Sequence, residues 1–72
     1  MINNEEAVIR FVKLLKDLNY HDIYIERSVW SFSRDIGLEE ELREEKLLDA
    51  YQLMNYYRNL IDKATKDDSK IN

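Results

Sequence analysis

The chain of 72 residues has no cysteine, no proline, one glycine, one histidine and one tryptophan. Without cysteine there is no disulfide, no thiolate metal site and no thiol nucleophile, and the absence suits a reducing compartment. Without proline, and with Gly37 as the sole glycine, few positions force the backbone out of a helix. His21 is the only imidazole, so a nucleophile–base arrangement would have to use Asp22 with Ser28, Ser31 or Ser33, and no oxyanion-forming element accompanies them. No apolar run approaches the roughly 20 residues of a bilayer span. The opening Met1-Ile2-Asn3-Asn4-Glu5-Glu6 lacks the basic start and apolar stretch of a leader. These absences lead to the expectation of a cytoplasmic protein, outside the membrane, with no catalytic residues, no cofactor and no metal.

What is present is 44% hydrophobic and 36% charged, the balance of a globular rather than a disordered chain. A single domain is expected over residues 1–66, with 67–72 as a frayed tail. A chain this short hides only about 60–65% of its unfolded surface, so association with a second chain is the support left open once disulfides and metals are excluded. The net charge of −4 is uneven. Residues 1–34 are balanced, residues 35–49 carry seven acids against Arg43 and Lys46, and residues 50–72 are slightly basic. A general affinity for nucleic acid is not expected from such a balance.

Helical periodicity dominates, and the fold expected is all-α. Asn3 with Glu6 has the form of a capping box, with Ile2 and Ala7 at staple spacing. Val8, Phe11, Leu15 and Leu18 then recur at helical intervals, and Asn19 suits a left-handed stop, giving a helix over 4–18. Asp22 can cap a second helix, in which Ile25, Val29, Phe32 and Ile36 form the apolar stripe. Gly37 ends it near residue 36, with Leu38 placed for the accompanying contact. The second helix begins Ile23-Tyr24-Ile25-Glu26, which lacks the polar, basic start of a base-reading helix and sets aside a helix-turn-helix reading.

From Leu38 to Lys66 no residue demands a break, and the third helix is placed over 39–66. Leu47, Ala50, Met54, Tyr57, Ile61 and Ala64 form one seam, with Leu48, Leu53, Tyr56 and Leu60 beside it. Twenty-eight residues would span about 42 Å, against a domain diameter of roughly 29 Å at this length. Such a helix either protrudes, in a three-helix unit, or breaks between Glu44 and Asp49 and makes four. A protruding helix with a wide apolar face favours a homodimer, with Tyr51, Met54, Tyr56, Leu60 and Ile61 at the interface.

Two further clusters stand out. Arg27, Trp30 and Arg34 are spaced i, i+3, i+7 on one face of the second helix, the composition of a protein-binding hot spot; the alternative is a Trp30 that extends the core stripe. Glu39, Glu40, Glu41, Glu44 and Glu45 make an acidic surface, which carboxylates alone leave with little hold on a divalent ion. The function expected is a protein–protein interaction module, an accessory or regulatory factor whose size suits a bacterium or phage. The alternative is an acidic inhibitor that imitates nucleic acid and fills a basic groove, although seven acids broken by Arg43 and Lys46 are sparse beside phosphate spacing of about 1.7 Å.

Overall fold

A computed structural model describes residues 3–69, and every regular element among them is a helix. There are four: α1 (Asn4–Asp17), α2 (Asp22–Asp35), α3 (Leu38–Glu44) and α4 (Ala50–Ser69). The first two match the sequence expectation to within a residue. Asn3 caps α1 by accepting the Glu6 N–H at 2.7 Å. The Glu6 carboxylate turns instead to Arg10 at 3.4 Å. The staple to Ile2 lies outside the described residues. Asn19 is left-handed, at φ 64°. Its N–H reaches the Lys16 carbonyl at 3.0 Å while that of Tyr20 reaches Leu15 at 3.1 Å, the paired bonds of a Schellman stop. At the start of α2 the cap is His21 rather than Asp22, its Nδ1 accepting from the Ile23 N–H at 3.3 Å.

Gly37, at φ 85°, ends α2 and opens α3. Leu38 then turns into the core with 2% of its surface exposed, the contact expected of a residue just past such a stop. The continuous helix expected over 39–66 is not formed. It breaks over residues 45–49, where Leu47 takes φ 57° and its side chain is 78% exposed. Asp49 and Gln52 close the far side reciprocally. The Gln52 N–H donates to Asp49 Oδ1 at 2.8 Å, and the Asp49 N–H donates to Gln52 Oε1 at 3.0 Å. That is a capping box, which satisfies two donors that a helix start leaves open. Released there, α4 needs only 20 residues, about 30 Å, so it matches the width of the domain and does not protrude. It continues to Ser69, past Lys66, where the helix was expected to end; residues 70–72 lie outside the described part.

α1 and α2 form an antiparallel hairpin, levelled by Phe11 stacked on Phe32 with ring centroids 4.3 Å apart. α4 packs on both. It runs antiparallel to α2, since Tyr57 meets Trp30 and Ser33 while Ile61 lines a groove with Ile25 and Glu26. It runs alongside α1, from Glu5 beside Tyr56 to Lys16 beside Thr65. The short α3 packs on α2 and ties to the start of α1, where Asn4 Nδ2 donates to Glu41 Oε2 at 3.3 Å.

The core is Val8, Val12 and Leu15 from α1, Ile25 and Val29 from α2, Leu38 and Leu42 from α3, and Leu53, Tyr57, Leu60 and Ala64 from α4. The α4 core line therefore runs between the two stripes read from the sequence. Leu18, assigned to the buried stripe of α1, is 59% exposed, because the α1 core line is 8–12–15. Among the described residues one polar side chain is fully buried: Ser33, with 0% exposure. Its Oγ is 2.7 Å from the Tyr57 hydroxyl and 3.0 Å from the Trp30 carbonyl. A carbonyl only accepts, so Ser33 donates to Trp30 and Tyr57 donates to Ser33, leaving no buried hydroxyl unsatisfied.

Candidate interaction surfaces

Three surfaces result from this packing. The first is the flank of α2 that faces α4. Trp30 is half-buried there, its ring edge-on to Tyr57 at 4.7 Å and 79°, so it belongs to the core margin and to the surface at once. Arg27 and Arg34 are exposed on either side of it. The Arg34 side chain is 71% exposed, with its Nε 3.8 Å from Glu39. Across the seam, Arg58 of α4 is exposed and lines a groove with Glu26, Ile25 and Ile61, one turn along α2 from Trp30. Met54, four residues before Arg58 and half-buried, shares its flank of α4. Arg27, Trp30 and Arg34 thus lie along one face of α2, as their spacing implies, while Arg58 lies across the seam in a groove that it shares with Asp22, Glu26, Asp62 and Lys16.

The second surface is the set of α4 residues expected at a dimer interface. Here the premise of the expectation fails, because α4 is covered by α1 and α2. Leu60 is a core residue, 4% exposed, and is out of reach of a second chain. Ile61 and Tyr56 pack against the core, and Met54 is half-buried. The Tyr56 hydroxyl donates to Glu5 Oε2 at 2.5 Å. Burial, then the bond to Glu5 and the Glu5 charge, hold this phenol well above the usual tyrosine range. Burial raises Tyr57 as well, offset in part by Ser33, whose hydroxyl can turn to donate to the ionised oxygen. Only Tyr51 stands clear, at 69% exposure.

The acidic segment is divided by the fold. Glu39 turns inward between two cations, with Oε2 3.2 Å from Arg43 Nε and Oε1 3.8 Å from Arg34 Nε. Glu41 accepts from Asn4. Glu40, Glu44 and Glu45 remain exposed and line a shallow depression with Glu41 and Gly37. Two exposed carboxylates on a seven-residue helix and a third at its C-cap fall short of the charge density of a nucleic-acid backbone. No group of three or more His, Cys, Asp or Glu side chains among the described residues is placed to hold a metal ion, and no described helix is long and apolar enough to cross a membrane.

The third surface was not foreseen. Apart from Leu47 and Tyr51, the large apolar residues left exposed among the described residues lie around the α1–α2 connection: Leu14 at 55%, Leu18 at 59%, Tyr20 at 44%, Ile23 at 61% and Tyr24 at 51%. Tyr20 and Tyr24 stack on each other at 4.7 Å. The signal that would have found them is a second heptad-spaced line on α1. Ala7, Phe11, Leu14 and Leu18 run beside the buried line Val8, Val12 and Leu15, and one neighbouring helix pair can cover only one of the two.

No protein-family model, curated protein or solved structure matches the chain.

Proposed function

We propose that this chain is a small protein–protein interaction module, an accessory or regulatory factor that presents the α2–α4 flank to an acidic partner. The observation that supports this reading most is the half-buried Trp30 held edge-on to Tyr57 between exposed Arg27 and Arg34, with Arg58 across the seam. A tryptophan held at the core margin, with an exposed arginine on either side of it along α2, gives an apolar anchor flanked by bidentate donors. Arginine forks match carboxylate geometry, so an aspartate- or glutamate-rich segment with one apolar side chain for the Trp30 edge is the complementary partner. Net acidity of the chain as a whole steers nucleic acid away.

The test compares proteins retained by the immobilised chain and by two variants. Arg27→Glu/Arg34→Glu reverses the flank without touching the core, and Trp30→Phe keeps the ring but narrows it. A genuine partner is lost with the arginine reversal and weakened by about 1–2 kcal/mol with Trp30→Phe. A partner retained equally by all three sinks the assignment of this flank.

A further inference from the structure

We infer that the chain pairs with a second copy of itself through the open face of the α1–α2 hairpin, a surface separate from the flank proposed for an acidic partner. The face is built from two lines of residues at helix-packing spacing. On α1 these are exposed Leu14 and Leu18, continued by half-buried Ala7 and Phe11, and on α2 they are exposed Tyr24 and Ser31 with half-buried Ser28 between them. Steps of four and three residues are the spacing by which helices interlock at shallow angles. None of these positions carries a charge, in a chain that is 36% charged. The Phe11–Phe32 stack fixes the level of the hairpin, so one to two turns further on Leu14 and Leu18 come opposite Ser28 and Tyr24.

Size and charge both point to a second copy. Aromatic side chains present roughly 150–250 Å² each when fully open. At the observed exposures, Leu14, Leu18, Tyr20 and Tyr24 leave about 400 Å² of largely apolar surface, the scale of a contact patch. Interfaces are about 56–65% apolar, so a patch of this size is the apolar share of roughly 700 Å² per chain, close to the standard of about 800 Å². The charged margin is complementary to itself. Arg10 lies four residues before Leu14 and Asp17 three after it, both exposed, and both flank Leu14 on its solvent side. In an antiparallel pairing of the two α1 helices about a two-fold axis level with residues 13–14, Arg10 of each copy meets Asp17 of the other. The two leucines at position 14 then meet near the axis. Stacking two hairpins in this way makes a four-helix core from two marginal ones.

The experiment is sedimentation equilibrium on the full chain from about 1 to 200 μM, with circular dichroism to follow folding. The wild type should approach twice its 8.7 kDa mass as concentration rises. Leu14→Glu and Leu18→Glu should stay monomeric across the range with helix content intact, since both side chains are already solvent-facing in the single chain. Arg10→Asp should weaken the dimer severalfold, and Arg10→Asp/Asp17→Arg should recover most of that loss because the exchanged charges meet again. Monomeric wild type at the highest concentration overturns the proposal. So does a dimer that both leucine variants leave intact, or an exchange variant no tighter than Arg10→Asp.

Discussion

α1 and α4 are both amphipathic, yet they end in opposite situations. α4 carries the wider apolar band, and α1 and α2 cover it so that Leu53 and Leu60 are buried and half-buried Tyr56 donates to Glu5. α1 has a narrower buried line, and it is the helix that leaves two leucines more than half exposed. The difference is one of neighbours rather than composition. A band that is wide because two lines lie close together sits in the groove between two helices, as α4 does. A second line displaced to one flank, like 7–11–14–18 on α1, faces the direction from which no helix of this chain comes. Stripe width on a helix therefore says how many contacts it can use; chain length and turns decide how many it receives.

The sharpest way to break this contrast is to truncate one leucine from each helix. Leu53→Ala empties a fully buried site and should cost about 3 kcal/mol. Against a total stability of roughly 4–10 kcal/mol for a chain of this length, the melting temperature should fall by more than about 10 °C. Leu18→Ala should change stability by no more than about 0.5 kcal/mol when measured where the chain is monomeric. Comparable losses from the two substitutions in a denaturant titration would mean that the α1 flank is covered after all.

A smaller effect belongs to the junction that lets α4 fold back. Asp49→Ala removes the oxygen that accepts from Gln52 and should cost about 1 kcal/mol. Gln52→Ala should cost less, because it leaves that bond in place. If α4 were held only by its packing, neither change would shift the urea midpoint, and the break at 45–49 would owe nothing to the capping box.

The same junction shows where the fold was legible in the sequence. The limits of α1 and α2 are written in local chemistry: Asn3 as acceptor, Asn19 and Gly37 as left-handed stops. The break after Glu44 has no such mark. Lys46, Leu47 and Leu48 are all helix-compatible, and the chain uses a leucine at positive φ, closed by the Leu48 N–H donating to the Leu42 carbonyl at 3.0 Å. The one local sign, Asp49-Ala50-Tyr51-Gln52, caps the following helix and becomes readable once a stop is suspected. Of the candidate sites, Arg27, Trp30 and Arg34 were legible because they share one helix, and spacing within a helix is independent of the fold. Arg58 across the seam, and the burial of Leu60, depend on how helices far apart in sequence meet. Ser33 escaped for a different reason, since a serine is assigned to solvent until its partner Tyr57 is known.

The finest test concerns the side of α4 that faces α1, where Tyr56 meets Glu5. The folded chain favours the neutral phenol at this position, because burial and the neighbouring carboxylate both oppose a negative oxygen. A group held neutral in this way contributes stability that is whole below its ordinary value of 10.0 and is lost as pH climbs past that value toward the folded one. Melting temperature measured between pH 8 and pH 11.5 should therefore fall more steeply for the wild type than for Tyr56→Phe, which has no proton to lose there. Tyr20, Tyr24 and Tyr51 are exposed in both proteins, and Tyr57 is buried in both, so their contributions cancel in the difference. At pH 8 the variant should be the slightly weaker of the two, lacking the bond to Glu5, and the gap should close or reverse as the solution becomes alkaline. Parallel curves would mean that water reaches the Tyr56 hydroxyl freely, and that the α1-facing flank of α4 is no better covered than the leucines across the molecule.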